Sequence, residues 1–146
     1  MMLDNGWAFS ESQAVQQNGT SAASANIVDF VGVTILLGEP LEILVTITET
    51  YVAGTSVQFD VIDDTAEAMG TTPLVIATGG VKTIATLVAG YQFVITLPKT
   101  IRRYVAMKYT TVGDPTAGKI SACLVCNQQT NKHAAIHVQS AAIAAK

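Results

Sequence analysis

Apolar and polar positions alternate with a period of two through the middle of the chain, the pattern of strands that bury one face. In LEILVTITET (41–50), Leu41, Ile43, Val45 and Ile47 point one way. Glu42, Leu44, Thr46 and Thr48 point the other. In TSVQFDVID (55–63), Val57, Phe59 and Val61 alternate with Gln58, Asp60 and Ile62. In YQFVITLP (91–98), Tyr91, Phe93, Ile95 and Leu97 share a face, and in RYVAMKYT (103–110) Val105, Met107 and Tyr109 do. Further strands are expected at NIVDF (26–30), PLVIAT (73–78), KTIATL (82–87) and KISACLV (119–125).

Turn chemistry separates these runs. Gly54 lies in YVAGT, Gly79-Gly80 follows PLVIAT, Ala89-Gly90 precedes YQFVITLP, and VGDPTAG (112–118) is a turn. About eight short strands with such spacing predict an all-β sandwich or barrel. The polar stretch QQNGTSAASA (16–25) reads as a flexible link. The expected organisation is an N-terminal segment and linker over 1–25, a sandwich over 26–126 and a tail over 127–146. In that N-terminal segment Trp7 and Phe9 are two apart. They are expected to anchor it against the sandwich or a neighbour, the alternative being an ordinary first strand. The tail ends in the alanine-rich KHAAIHVQSAAIAAK, a good helix former in which Ile136 and Ile143 fall on one face. A helical arm working between subunits and an unstructured tail are both compatible with it.

Composition narrows the function. Hydrophobic residues make up 49% of the 146 and charged ones only 13%, about half the usual charged share. A surface so poor in charge suits a chain whose faces pack on something else. The charges are also unevenly placed. Residues 1–81 hold ten acidic side chains and no Lys or Arg, while residues 82–146 hold all eight basic ones and a single acid, Asp114. Either copies dock head to tail, or strands from the two halves interleave and the charges neighbour each other. Basic residues are scattered, with only Arg102 and Arg103 adjacent, and the net charge is −3, so nucleic acid is not an expected partner. No run approaches the roughly 18 apolar residues of a membrane span, and MMLDNGWAFSESQAV lacks the charge and apolar core of an export signal.

Candidate chemistry is thin. Cys123 and Cys126 form a CxxC, but a strand sends side chains at odd separation to opposite faces. His133 and His137 are four apart, yet Ala134 stands where a metalloprotease would need its Glu. Together the four read C-x2-C-x6-H-x3-H, whose middle is too short for a zinc finger. Asp60, Asp63 and Asp64 lack the spacing of a calcium loop. No cofactor, metal or enzymatic activity is expected.

Six stretches carry a resemblance. They are FSESQAV (9–15), SAASANIVDF (21–30), LGEPLEILVTITE (37–49), ATLVAGYQFVITLP (85–98), RRYVAMKYT (102–110) and TAGKISACLV (116–125). In this order and spacing the chain resembles the jelly-roll capsid cement, or decoration, proteins of tailed phages of the Bordetella-phage type, over about residues 1–126. The departures are GVTILLGEP, the CxxC and the tail after Val125. The resemblance implies a jelly-roll sandwich that trimerises and binds the major capsid protein on the exterior of a mature virion shell. It implies synthesis in the host cytoplasm and no catalysis. A neck, tail or fibre-associated virion protein and a carbohydrate-binding jelly roll for host attachment are the alternatives. Trp7, Phe9, Arg102, Arg103, Ile136 and Ile143 are the candidate interaction residues.

Overall fold

A computed structural model describes residues 7–16, 21–30, 41–99 and 101–126. They form nine strands: β1 (Ala8–Ala14), β2 (Ser21–Ala23), β3 (Val28–Asp29), β4 (Leu41–Val52), β5 (Ser56–Asp64), β6 (Leu74–Thr83), β7 (Gln92–Thr96), β8 (Tyr104–Val112) and β9 (Ala117–Cys126). One sheet runs β1-β9-β4-β7 and the other β2-β8-β5-β6, with β3 also on β8. All pairings are antiparallel. Because β2 and β3 lie along the same neighbour, the nine strands fill eight places. Only β5 and β6 are consecutive strands paired in one sheet. Apart from β2 to β3, which both lie on β8, the other connections cross between sheets, which is jelly-roll topology.

The alternation read from sequence is the inside–outside division of the sandwich. Ile43, Val45, Ile47, Val57, Phe59, Val61, Val105, Met107 and Tyr109 are all fully buried. Tyr91 and Phe93 are half-buried against the same core, which Ile95 and Leu97 complete. Phe59 meets Phe93 of the opposite sheet edge-on with ring centroids 5.0 Å apart, and Tyr109 at 5.9 Å. Such contacts add about 0.5–1.5 kcal/mol beyond area burial.

Two elements depart from the expected boundaries. Residues 73–78 and 82–87 are not separate strands. Gly79-Gly80 is a bulge inside β6: Asp60 pairs with Thr78 and Phe59 with Gly80, leaving Gly79 out of register. A Cβ on Gly79 would lie 2.7 Å from the Phe93 ring, so the glycine makes room for that ring. Beyond Thr83 the chain turns through a 3-10 segment, Ile84–Thr86. The second departure lies within 1–25, which supplies β1 and β2. β1 is the edge strand on β9, and its Phe9 is wholly buried in the core.

A polar network joins this edge strand to the opposite sheet. Ser10 Oγ donates to Gln13 Oε1 at 2.7 Å, which leaves the Tyr109 hydroxyl to donate to Ser10 at 2.8 Å. Gln13 Nε2 in turn donates to the Ala23 carbonyl at 2.8 Å, and the Asn26 amide to that of Ala8 at 3.1 Å. Tyr51 is different: its buried hydroxyl has no partner among the described residues. Its ring lies over Gly118, whose φ of +135° and lack of Cβ permit a contact that a side chain would block at 2.5 Å.

These features give two expectations. Phe59→Ala should cost about 3–5 kcal/mol in urea or thermal unfolding, as for other wholly buried aromatics. A near-neutral result would mean that the aromatic contact between sheets contributes little. Burial raises the pKa of both the Tyr51 and Tyr109 phenols above 10.0, with the Tyr109 charge adding at Tyr51 and the Ser10 hydrogen bond opposing at Tyr109. A phenol whose folded pKa exceeds its unfolded value contributes stability that is complete below pH 10 and is lost as pH rises beyond it. Alkaline unfolding should therefore coincide with a cooperative rise in tyrosinate absorbance. Tyr51→Phe should be neutral or stabilising by about 1 kcal/mol, since it removes an unpaired buried hydroxyl.

Candidate interaction surfaces

The acidic and basic halves of the sequence meet inside one molecule. Each ion pair of the described residues joins an acid before residue 82 to a base after it: Arg102–Asp63 at 2.6 Å, Arg102–Asp64 at 3.9 Å, Arg103–Asp29 at 2.9 Å and Lys119–Glu49 at 2.7 Å. The topology requires this. β5 lies beside β8, and β4 beside β9. Glu49 stands opposite Lys119 and Asp60 opposite Lys108 in register. Interleaving of the two halves thus accounts for the charge division without head-to-tail docking.

Arg102 is committed to the fold. Its backbone N–H and Nε donate to the two oxygens of Asp63, at 2.9 and 2.8 Å. Nη2 also donates to the carbonyls of Asp63 and Thr72, and Nη1 to the Thr72 hydroxyl. The side chain so fastens the β5–β6 loop to the start of β8. Asp64, wholly buried, organises the same loop. Burial alone would raise its carboxyl, but the N–H groups of Thr72, Thr65, Ala66 and Thr71 outweigh that and hold it below 3.8. Asp60 accepts from the Gln58 amide at 2.9 and 3.1 Å. The three aspartates therefore serve the chain itself. No group of His, Cys, Asp or Glu that could hold a metal occurs among the described residues.

Arg103 is half-exposed, paired with the similarly exposed Asp29, and its guanidinium lies 4.8 Å from the Tyr104 ring centroid. Trp7 is 36% exposed and packs edge-on against Phe30 at 6.3 Å, over the rim of the core. Phe9 is inside and offers no contact surface. Ile136 and Ile143 lie outside the described residues, as do His133 and His137. Both cysteines fall in β9 as expected. Cys123 is a half-buried free thiol, and burial pushes its pKa up.

The two ends of the sandwich differ in character. At one end sit Asp29, Asp63, Asp64, Arg102 and Arg103. At the other, the turns after β4, β6 and β8 carry the exposed Val52, Val88 and Val112, with Asp114 their only charge. Edge strand β6 adds exposed Leu74, Val75 and Val81. Sequence alternation alone does not mark these valines and Leu74 as surface. Their exposure follows from edge and end positions, which one strand's alternation does not encode.

A family model described as Bbp16 matches residues 9–124. No curated protein matches the chain.

Arg102→Ala should cost about 2–3 kcal/mol in chemical denaturation. That is below the 3–5 kcal/mol of a fully buried pair, because the guanidinium is partly solvated. Arg103→Ala should leave stability within error, as exposed pairs usually do. Equal losses would mean that Arg102 is no more structural than its neighbour.

Proposed function

The chain belongs to the Bbp16 family of Bordetella-phage proteins, and on that premise we propose that it is a cement protein, binding the outside of the mature capsid and bridging capsomers. The observation that supports this reading is a jelly roll whose buried carboxylates and Arg102 are used up in holding the fold, while one exposed end and the β6 edge are apolar and poor in charge. Such a part acts by contact and not by catalysis. The partner is the major capsid protein, and the copies associate with each other, as a trimer on the resemblance above.

The mechanism is mass action. A ligand that binds only the assembled, mature shell stabilises that state, by about 2.7 kcal/mol per site when present at 100 times its Kd. Bridging two capsomers makes the second contact effectively intramolecular, so weak individual contacts suffice. An uncharged contact face suits this role, because covering it desolvates few charges.

The test is addition of purified protein to shells stripped of it. Expected results are saturable rebinding, in numbers that scale with the capsid subunits, and a higher disruption temperature of the particle. Binding in a single ring's worth of copies would assign the chain to the neck or tail instead. Light scattering should report a trimer, and a monomer at all concentrations, with no threefold arrangement on particles, would remove that part of the proposal.

A further inference from the structure

β5 and β6 are joined by nine residues, 65–73, where hairpin loops usually need about two to five. The extra length is not slack. The Asp64 carboxylate, wholly buried, accepts the N–H of Thr65 at 2.6 Å and those of Thr71 and Thr72 at 3.1 Å each. Arg102 holds the far end through the Thr72 carbonyl at 2.7 Å and hydroxyl at 3.1 Å. Between these anchors the Met69 N–H donates to the Ala66 carbonyl at 3.0 Å and closes the tip. The loop therefore keeps one shape, and it does so around a buried carboxylate that would be unfavourable without such partners.

The tip adds a second unfavourable feature. Met69 has a φ of +50°, a left-handed conformation that suits glycine and strains a bulky side chain. Two other non-glycine residues among those described share such a φ, Ser12 and Ala53. Ser12 lies in the irregular part of β1 and donates its N–H to Ser121 Oγ. Ala53 is small and sits in the turn after β4. Met69 alone of the three is long, and its side chain is not part of the core between the sheets. Glu67, Ala68 and Gly70 beside it are exposed, and exposed Leu74 and Val75 follow on the edge strand.

A loop longer than its hairpin requires, fixed at both ends and strained at its tip, has a shape that the sandwich itself does not use. Such pre-organisation raises affinity when something binds, because little freedom is left to lose. Strain kept at one side chain points the same way. We propose that residues 67–70 are a contact loop for the mature shell, with Ala68 and Met69 entering an apolar depression on the major capsid protein. The chemistry of that depression follows from the tip. Ala68 and Met69 are apolar, Met fills irregular gaps well, and Glu67 is the loop's one charge. The inference rests on the cement reading above and names the part of the molecule that carries it.

The test uses the full-length chain and the stripped shells. Ala68→Arg puts a bulky charge at an exposed position, so the unfolding midpoint should hold while shell affinity falls about tenfold. Met69→Gly removes the side chain and relieves the backbone, so the midpoint should again hold while affinity falls about tenfold. Peroxide oxidation of Met69, read by mass spectrometry, should be about tenfold slower in shell-bound than in free protein. Both variants binding as tightly as the unaltered chain, or equal oxidation rates, would overturn the inference and leave the cement reading standing. A lowered midpoint for Met69→Gly would also overturn it, by showing that the side chain serves the fold. So would a changed light-scattering mass in either variant, which would assign the loop to a contact between copies. Failure of the unaltered chain to rebind would remove the cement reading and this inference with it.

Discussion

Phe59 touches Phe93 from the opposite sheet and Tyr109 from the adjacent strand, and the rest of the sandwich is arranged to keep that contact. Edge-to-face rings have little tolerance for a change in sheet separation. Room for Phe93 comes from Gly79, and the bulge that holds this glycine also keeps β6 paired with β5 on both sides of it. Tyr109 in turn is held by Ser10, so the edge strand β1 is tied to the same cluster through a hydrogen bond 99 residues apart in sequence. One aromatic contact therefore couples an edge strand, a bulge and both sheets.

The electrostatics follow from the topology that this packing demands. This jelly roll places its first and last strands side by side, β4 beside β9 and β5 beside β8, so a sequence with acids early and bases late neutralises itself on folding. Lys119–Glu49 and Arg103–Asp29 are exposed and contribute little individually. Arg102 differs because the carboxylate it meets is almost fully buried, with only 4% of the Asp63 side chain exposed. Its burial makes the pair a condition of the loop's conformation, since an unpaired carboxylate there would be expensive.

Strand faces were legible in the sequence because a buried face needs an apolar residue at every second position, and β4, β5, β7 and β8 supply one. β1 was harder. Its AFSESQA has a single apolar side chain that reaches the core, and an edge strand needs no more. β6 was divided in two because a Gly-Gly pair has the same chemistry in a turn and in a bulge. Only the register with β5, set by distant residues, separates these. For the interaction candidates, Phe9 and Arg102 are the kinds of side chain that mark contact surfaces, and here they meet partners within their own chain. Aromatic and guanidinium groups look alike in sequence whether their partner is internal or external.

The polar face of the β1-β9-β4-β7 sheet shows how function can be compatible with so little charge. Thr46, Thr48, Thr50, Gln92, Thr96 and Ser121 make this face polar without charge. They offer hydroxyls and amides to any surface that replaces it. Gln92 already donates to Thr46 at 3.1 Å, and Ser121 accepts from the backbone N–H of Ser12 at 2.9 Å, so part of this polarity is satisfied within the sheet. Covering such a face therefore costs less desolvation than covering the lysines and glutamates of an ordinary surface. It also supplies little long-range attraction to bring a partner in. Selectivity must then come from shape, which acts only at contact. That combination favours a surface designed to be covered once and to remain covered.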